Sequence, residues 1–485
     1  MADPGDSSDT LISPPSPVYH PPKTNMESDL ELSTLESPPP AILKIFREAS
    51  DITWQETLES TKDQVPLVRR RGRFQLLHQQ QFKNSLLASV GYLELANAGD
   101  FAANVWNDIP VPTFAAVLMG IGGTFALCMV IVAIQDFRLS WRNVRLLRKE
   151  RVHIQRLQQY HCKNPDLTRL LDARLGVGMR EIGTEVVDRI LMDLLMGLGS
   201  VLVGVGTLMA IGGANRRVYE ASNLLSGYIG NAMAAMFGLA NAIWSVYLIC
   251  RFKQHDKAVV AHEPNDDIRR RLRLRFKRFQ WHSIANSING LVAGAASMVT
   301  AKRWEGYVVL VPCIISLIMC NYFWRKKLGY DRPILDQISL AKLQSTPLLE
   351  DLEYAISMQR NLAEPDQAIP QFTVDTQSLE SMLGFIVRNR MLETYVDSLA
   401  RDKKVRFILS EIPAEAITPD EIVINSDLLL CLSSKPTHSR LLIDHTAKFL
   451  REEGVRTFTH RERHLLELLG YAVWRNQTGT ETESK

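Results

Sequence analysis

Apolar residues in this chain gather into long stretches, five of which fall between Ile109 and Trp324, covering about 112–134, 191–213, 228–250, 282–301 and 306–324. Asp193, near the head of the second, is the single charged residue within those bounds. At about 1.5 Å of rise per helical residue, each stretch suffices to cover a bilayer core of about 30 Å. The pattern predicts an all-α, multi-pass membrane protein with five spans over 106–328. The fourth is the least apolar, carrying Asn286, Ser287, Asn289, Ser297 and Thr300. Its glycines and flanking charges support it.

Ahead of the spans the pattern changes twice. Residues 1–40 are rich in Pro, Ser and acidic residues, which cannot bury enough apolar area to offset chain entropy, so a disordered tail is expected. Its Ser-Pro steps at Ser13, Ser16 and Ser37 are candidate kinase sites of a kind common in such tails. Over 41–105, apolar positions from Ile42, Ile45 and Phe46 through Trp54 and Leu58 to Leu76, Leu77, Leu86, Leu87, Val90 and Leu93 predict an amphipathic helical region. Glu94 and Asp100 argue against a sixth crossing there.

After the spans, residues 329–475 predict a soluble helical domain, followed by a short disordered tail at 476–485. Thr418-Pro-Asp-Glu421 and Thr459-His-Arg-Glu462 have the spacing of capping boxes, Gly454 suits a helix end, and Leu379, Met382, Leu383, Ile386 and Leu392 mark a helical face. Val405–Leu409 is the one candidate strand in this part.

Lys and Arg give the expected orientation. One set of segments, 137–190, 251–281 and the residues after the fifth span, carries Arg138, Arg142, Arg145, Arg148, Arg269, Arg270, Arg271, Arg273, Arg275, Lys277, Arg278 and Arg325–Lys327. The other carries only Arg216, Arg217, Lys302 and Arg303. Five alternating crossings then place the C-terminus in the cytoplasm and the N-terminal region opposite. Trp and Tyr residues near the span ends fit two interfaces. The acidic N-terminus resembles neither a secretory signal nor an Arg-rich presequence, which favours a secretory-pathway membrane over a mitochondrial one.

Composition adds little, since a formal charge of +3 over 485 residues averages very unlike regions. The six cysteines have no paired spacing, which argues against a disulfide framework or zinc site.

The third span sets Gly230, Ala234, Gly238 and Ala242 four residues apart, and the fourth carries Gly290 and Gly294. Small residues in such rows let helix backbones approach closely. Asn231, Asn241, Asn286 and Asn289 should face the bundle, either as interhelical hydrogen bonds or as a polar solute site. The arginines from 138 to 148 and the run 269–278 either set topology or also grip anionic headgroups; nucleic-acid binding fits poorly beside a membrane.

His460 and His464 lie one turn apart, but HRERH is not HExxH and no third ligand is identifiable, so a solvated helix start is expected. Gly176, Gly178 and Gly183 lack the spacing of a phosphate loop, and no GxSxG or Walker motif occurs. No catalytic, cofactor or metal residues are identifiable. The leading expectation is a non-enzymatic membrane scaffold whose basic loops bind anionic lipid and whose 329–475 region recruits protein partners. Alternatives are an oligomeric small-solute channel or carrier using the third and fourth spans, and a membrane enzyme acting on lipid.

Overall fold

The computed structural model describes residues 64–70, 73–77, 81–84, 92–96, 98–106, 110–161, 163–263, 265–334, 348–363, 374–410 and 421–483. All belong to one compact unit, Leu58–Lys485. The expected 1–40 tail with its Ser-Pro steps, the Ile42–Leu58 face, Leu86, Leu87, Val90 and Thr418 lie outside the described residues.

Among the described residues, four helices are long and apolar enough to cross a membrane: α3 (Thr113–Tyr160), α4 (Pro165–Ala210), α5 (Arg216–Ala261) and α7 (Gly306–Leu328). The expected fourth span falls on α6 (Asp266–Thr300), which is not among them. Its first half is too basic and its second too rich in Asn, Ser and Gly. Nevertheless α6 runs antiparallel along α5 for its whole length. Asn231 Nδ2 lies 3.3 Å from Thr300 Oγ1, Gly294 faces Ala235, Gly238 faces Gly290, and the rings of Phe252 and Phe279 stack at 4.4 Å.

α3 is continuous for 48 residues, about 70 Å. Its basic half therefore continues the axis of the apolar half. Where α4 passes Glu185–Leu191, a widened π turn brings Glu185 and Arg189 to face Asp136 of α3. Gly176, Gly178 and Gly183 are mid-helix, with Gly176 against Tyr471 and Gly183 against Trp244.

The N-terminal region departs from the expected helix. Residues Val65–Arg70 (β1), Arg73–Leu76 (β2) and Gln81–Lys83 (β3) are strands. Only the short helices α1 (Leu93–Ala96) and α2 (Phe101–Val105) follow. Helical periodicity and strand alternation are hard to separate over such short apolar runs. β1 pairs antiparallel with β2 and with β5 (Glu421–Ile424), while β3 pairs with β4 (Asp331–Pro333).

Residues 65–70 and 421–424 thus share a sheet. From this sheet the chain passes up the bundle. Lys83 O accepts from Asn143 Nδ2 at 2.7 Å; Leu93 and Ala96 pack with Ala126, Met129 and Ala133; Gly99 meets Gly122; and Trp106 meets Phe114.

The C-terminal residues form no separate domain. Helices α8 (Leu348–Ala363), α9 (Leu379–Arg388), α10 (Leu392–Arg401), α11 (Arg406–Ser410), α12 (Ser426–Leu432) and α13 (Pro436–Phe449) share one core with the ends of α4, α5 and α6. α13 continues through a π turn at Leu450–Gly454 into α14 (Val455–Glu483), so Gly454 ends nothing. Thr459–Glu462 sits mid-helix, Glu421 opens a strand, Val405–Leu409 is turn and helix, and α14 runs through most of the expected 476–485 tail.

Candidate functional site

Beyond the apolar halves of the long helices lies a buried layer of ion pairs. Arg332 on β4 donates to Glu150 of α3 at 2.6 and 2.7 Å and to Glu181 of α4 at 2.6 and 3.0 Å. Arg180 donates to both oxygens of Glu467 at 2.7 Å and to the Tyr330 hydroxyl at 2.7 Å, and Tyr330 donates to Glu181 at 2.9 Å. Arg275 completes the layer, 3.4 Å from Glu467. Burial alone would raise the Glu467 carboxyl, but Arg180 and Arg275 outweigh it and hold the group below its ordinary range.

Arg174 stands at the edge of this layer, facing Glu150, Asp351 and Glu181, and its Nε has no hydrogen-bond partner among the described residues. His464 of α14 is buried beside it, with neither ring nitrogen hydrogen-bonded among the described residues. Burial and the charges of Arg332, Arg174, Arg180 and Arg275 depress its pKa well below the usual histidine value, so the ring is neutral.

His460 accepts the Asp331 backbone N–H at Nδ1, 3.1 Å away. Its pKa is pushed down to about 3 by burial and by Arg456, Arg463 and Arg275, so its approach to the Asp331 carboxylate is not an ion pair. Both imidazoles are buried mid-helix, not on the solvated helix start expected. Among the described residues no group of three His, Cys, Asp or Glu is placed to hold a metal.

Arg174, Arg332, His460 and His464 line a cavity of about 670 Å³, within the range of small-molecule sites. Its wall also holds Ser398, Asp402 and His445. α10 is pinned to α13 by the Tyr395 hydroxyl, 2.7 Å from Thr446 Oγ1, and by Tyr395 against Phe449. The next turn brings Ser398 Oγ to 3.0 Å from His445 Nε2. Asp402, just past the end of α10, accepts from the Lys404 N–H at 2.8 Å and lies 3.1 Å from His445 Nδ1.

That backbone bond is the main reason the Asp402 carboxyl is held below its ordinary pKa; burial lowers His445, with Asp402 partly opposing it. A carboxylate only accepts, so Nδ1 carries the ring proton and Nε2 is left to accept from Ser398. Arg390, also in the wall, adopts φ 58°, a left-handed conformation costly for a residue with a β-carbon.

The residues singled out from sequence fall elsewhere. Gly230 faces Val203, Gly238 faces Gly290, Gly294 faces Ala235, and Ala234 and Ala242 are buried. Asn241 and Asn286 bond each other across α5 and α6, Asn289 donates to Ser316 at 2.7 Å, and Asn231 donates towards Thr300, Gly227 and Asp100. Asn286 lines a small cavity of about 90 Å³, well below the size of a small-molecule site.

Of the arginines named for headgroups, Arg275 is buried in the ion-pair layer, while Arg269, Arg271 and Arg273 pair with Asp266, Asp267, Glu462 or Asp256. Arg138, Arg142, Arg145, Arg148, Arg270, Lys277 and Arg278 are exposed.

Comparison with protein-family models, curated proteins and solved structures finds no match for this chain. Function is therefore argued from the site. Sequence reasoning missed it because its parts come from α3, α4, β4, α10, α13 and α14. Only the spacing of Ser398 and Asp402 on one helical face is a local signal, and it is common.

Proposed function

We propose that this chain is a polytopic membrane protein whose solvent-side body binds an anionic small molecule of the phosphate type in the cavity beside Arg174 and His464. The reading is carried by one observation: at the cavity wall, Arg174 Nε and both His464 ring nitrogens are buried with no hydrogen-bond partner among the described residues. Unmade hydrogen bonds are costly in a buried site, and an anion with several acceptor oxygens would take up the N–H donors. The neutral His464 would donate one N–H.

The site stands clear of the membrane. Glu150, which holds Arg332, lies sixteen residues past Ile134, about 24 Å along α3. That favours a soluble ligand over a bilayer headgroup. Headgroup contact is assigned instead to Arg138, Arg142, Lys277 and Arg278, which are exposed within about three turns of the apolar segments.

For topology, α6 counts as a fifth crossing because it follows α5 along its length, and its Asn286 and Asn289 side chains are met by Asn241 of α5 and Ser316 of α7. The described residues 92–96 and 98–106 pack inside the bundle and take part in a sixth passage, which returns the sheet-forming N-terminal strands to the basic, cytoplasmic face.

Titration calorimetry on the full chain in detergent tests the ligand reading with inorganic phosphate and pyrophosphate. Binding is expected, weakened about 10- to 100-fold by Arg174→Gln, as the loss of a charge-assisted contact implies. Equal affinity in a folded Arg174→Gln variant, or no binding by the unsubstituted chain, overturns the reading.

A further inference from the structure

The other part of the cavity wall carries an arrangement that anion binding does not require. Ser398 Oγ, His445 and Asp402 form an unbroken line of hydrogen bonds, with Nε2 towards the serine at 3.0 Å and Nδ1 towards the carboxylate at 3.1 Å. Six helical serines and threonines of this chain, Ser200, Ser226, Ser297, Thr446, Thr457 and Thr459, each donate to the carbonyl four residues earlier on their own helix. Ser398 instead meets an imidazole whose other nitrogen is held by an acceptor-only group, the arrangement that activates a serine hydroxyl.

We propose that Ser398 is a nucleophile, that His445 is its general base, and that the cavity hydrolyses carboxylic esters whose acyl or alcohol part carries an anionic group. Ser398 Oγ attacks the ester carbonyl carbon while its proton passes to His445 Nε2 and the carbonyl π pair moves onto oxygen. Collapse expels the alcohol oxygen, which takes that proton, and leaves an acyl-serine. Water then attacks the acyl carbon, again giving its proton to Nε2, and the serine oxygen departs with it. The net change is ester plus water to acid plus alcohol, with no oxidant or metal required.

Asp402 is a positioning residue that keeps the proton on Nδ1. Lys448, one turn beyond His445 on α13, lines the same cavity and supplies counter-charge for the carbonyl oxygen. The anionic part of the substrate rests on the Arg174 and His464 reading above, whereas the nucleophile does not.

The test uses the full chain in detergent, a fluorophosphonate probe that modifies activated serines, and peptide mapping of the adduct. The unsubstituted chain is expected to be labelled at Ser398. Ser398→Ala should abolish labelling and His445→Gln should slow it at least 100-fold. Asp402→Asn should slow it and carry the acid limb of the rate to lower pH, because the carboxylate supports the imidazolium, while Lys448 and Glu452, the other charges facing His445, are unchanged.

Should Ser398→Ala fail to fold, the mapped adduct on the unsubstituted chain decides alone. Absence of labelling in folded protein, or an adduct on another residue, overturns the nucleophile, even if phosphate binds. Labelling at Ser398 with equal turnover of neutral and carboxylate-bearing nitrophenyl esters, both unaffected by Arg174→Gln, keeps the nucleophile and overturns the anionic substrate.

Discussion

Val65 of β1 lies opposite Ile424 of β5 in an antiparallel ladder, joining residues 359 positions apart. Both are buried in the core that also holds Leu352, Phe276 and Leu468. Strands in one sheet cannot sit on opposite sides of a bilayer.

Topology follows from that pairing. In a chain with its own cysteines replaced, Gln75→Cys and Ser434→Cys should react with a membrane-impermeant maleimide from the same side, and Arg217→Cys from the other. Reaction of the first two from opposite sides would contradict the shared sheet.

Arg332 binds two buried carboxylates at once. Replacing it with Met leaves Glu150 and Glu181 without their main counter-charge, and breaking buried pairs in this way costs about 3–5 kcal/mol. Denaturant unfolding in detergent should register a loss of that order. A change below about 1 kcal/mol would mean that the layer is hydrated or rearranges.

Gly238 and Gly290 face each other unequally. A β-carbon on Gly238 would run into the backbone carbonyl of Gly290, whereas one on Gly290 would meet Asn241 Nδ2 at 3.3 Å, a milder approach to a side-chain atom. Gly238→Ala should therefore destabilise by about 1–3 kcal/mol, the range for overpacking, and Gly290→Ala by clearly less. Thermal melts of the two variants check the order, and its reversal would misplace the helix crossing.

The solvent-side body should lose stability in mild acid. His460, His464 and His445 are all held below the ordinary histidine value of 6.5 by burial, so the unfolded chain binds protons that the folded one excludes. Stability is complete above about pH 6.5 and falls as pH drops towards the folded values, by about 1.4 kcal/mol per pH unit for each group still neutral. His464→Phe should flatten the slope by about one proton. An unchanged slope would mean that His464 is protonated in the folded protein.

The transmembrane character was legible because apolar stretches such as 112–134 declare themselves over a local window. α6 was legible only in part: its second half reads as marginally apolar, and its place beside α5 depends on Gly238, Gly290 and the Asn241–Asn286 pair meeting across helices. The N-terminal strands were misread because β1 is completed by a partner that no local pattern announces. The arginines of 269–278 look alike in sequence, yet Arg275 is buried while Arg278 is exposed, a difference set by which face of α6 meets α14.

By itself, then, the sequence determined the oil-soluble segments, their basic flanks and the small-residue rows that pack them, because hydropathy and helical period act over a few turns. Tertiary structure alone decided which charges are buried against one another, which strands share a sheet, and that Ser398, Asp402 and His445 converge. Those properties depend on contacts between residues tens to hundreds of positions apart, and Coulomb attraction and hydrogen bonding act only once the fold has brought the groups together and removed the water between them.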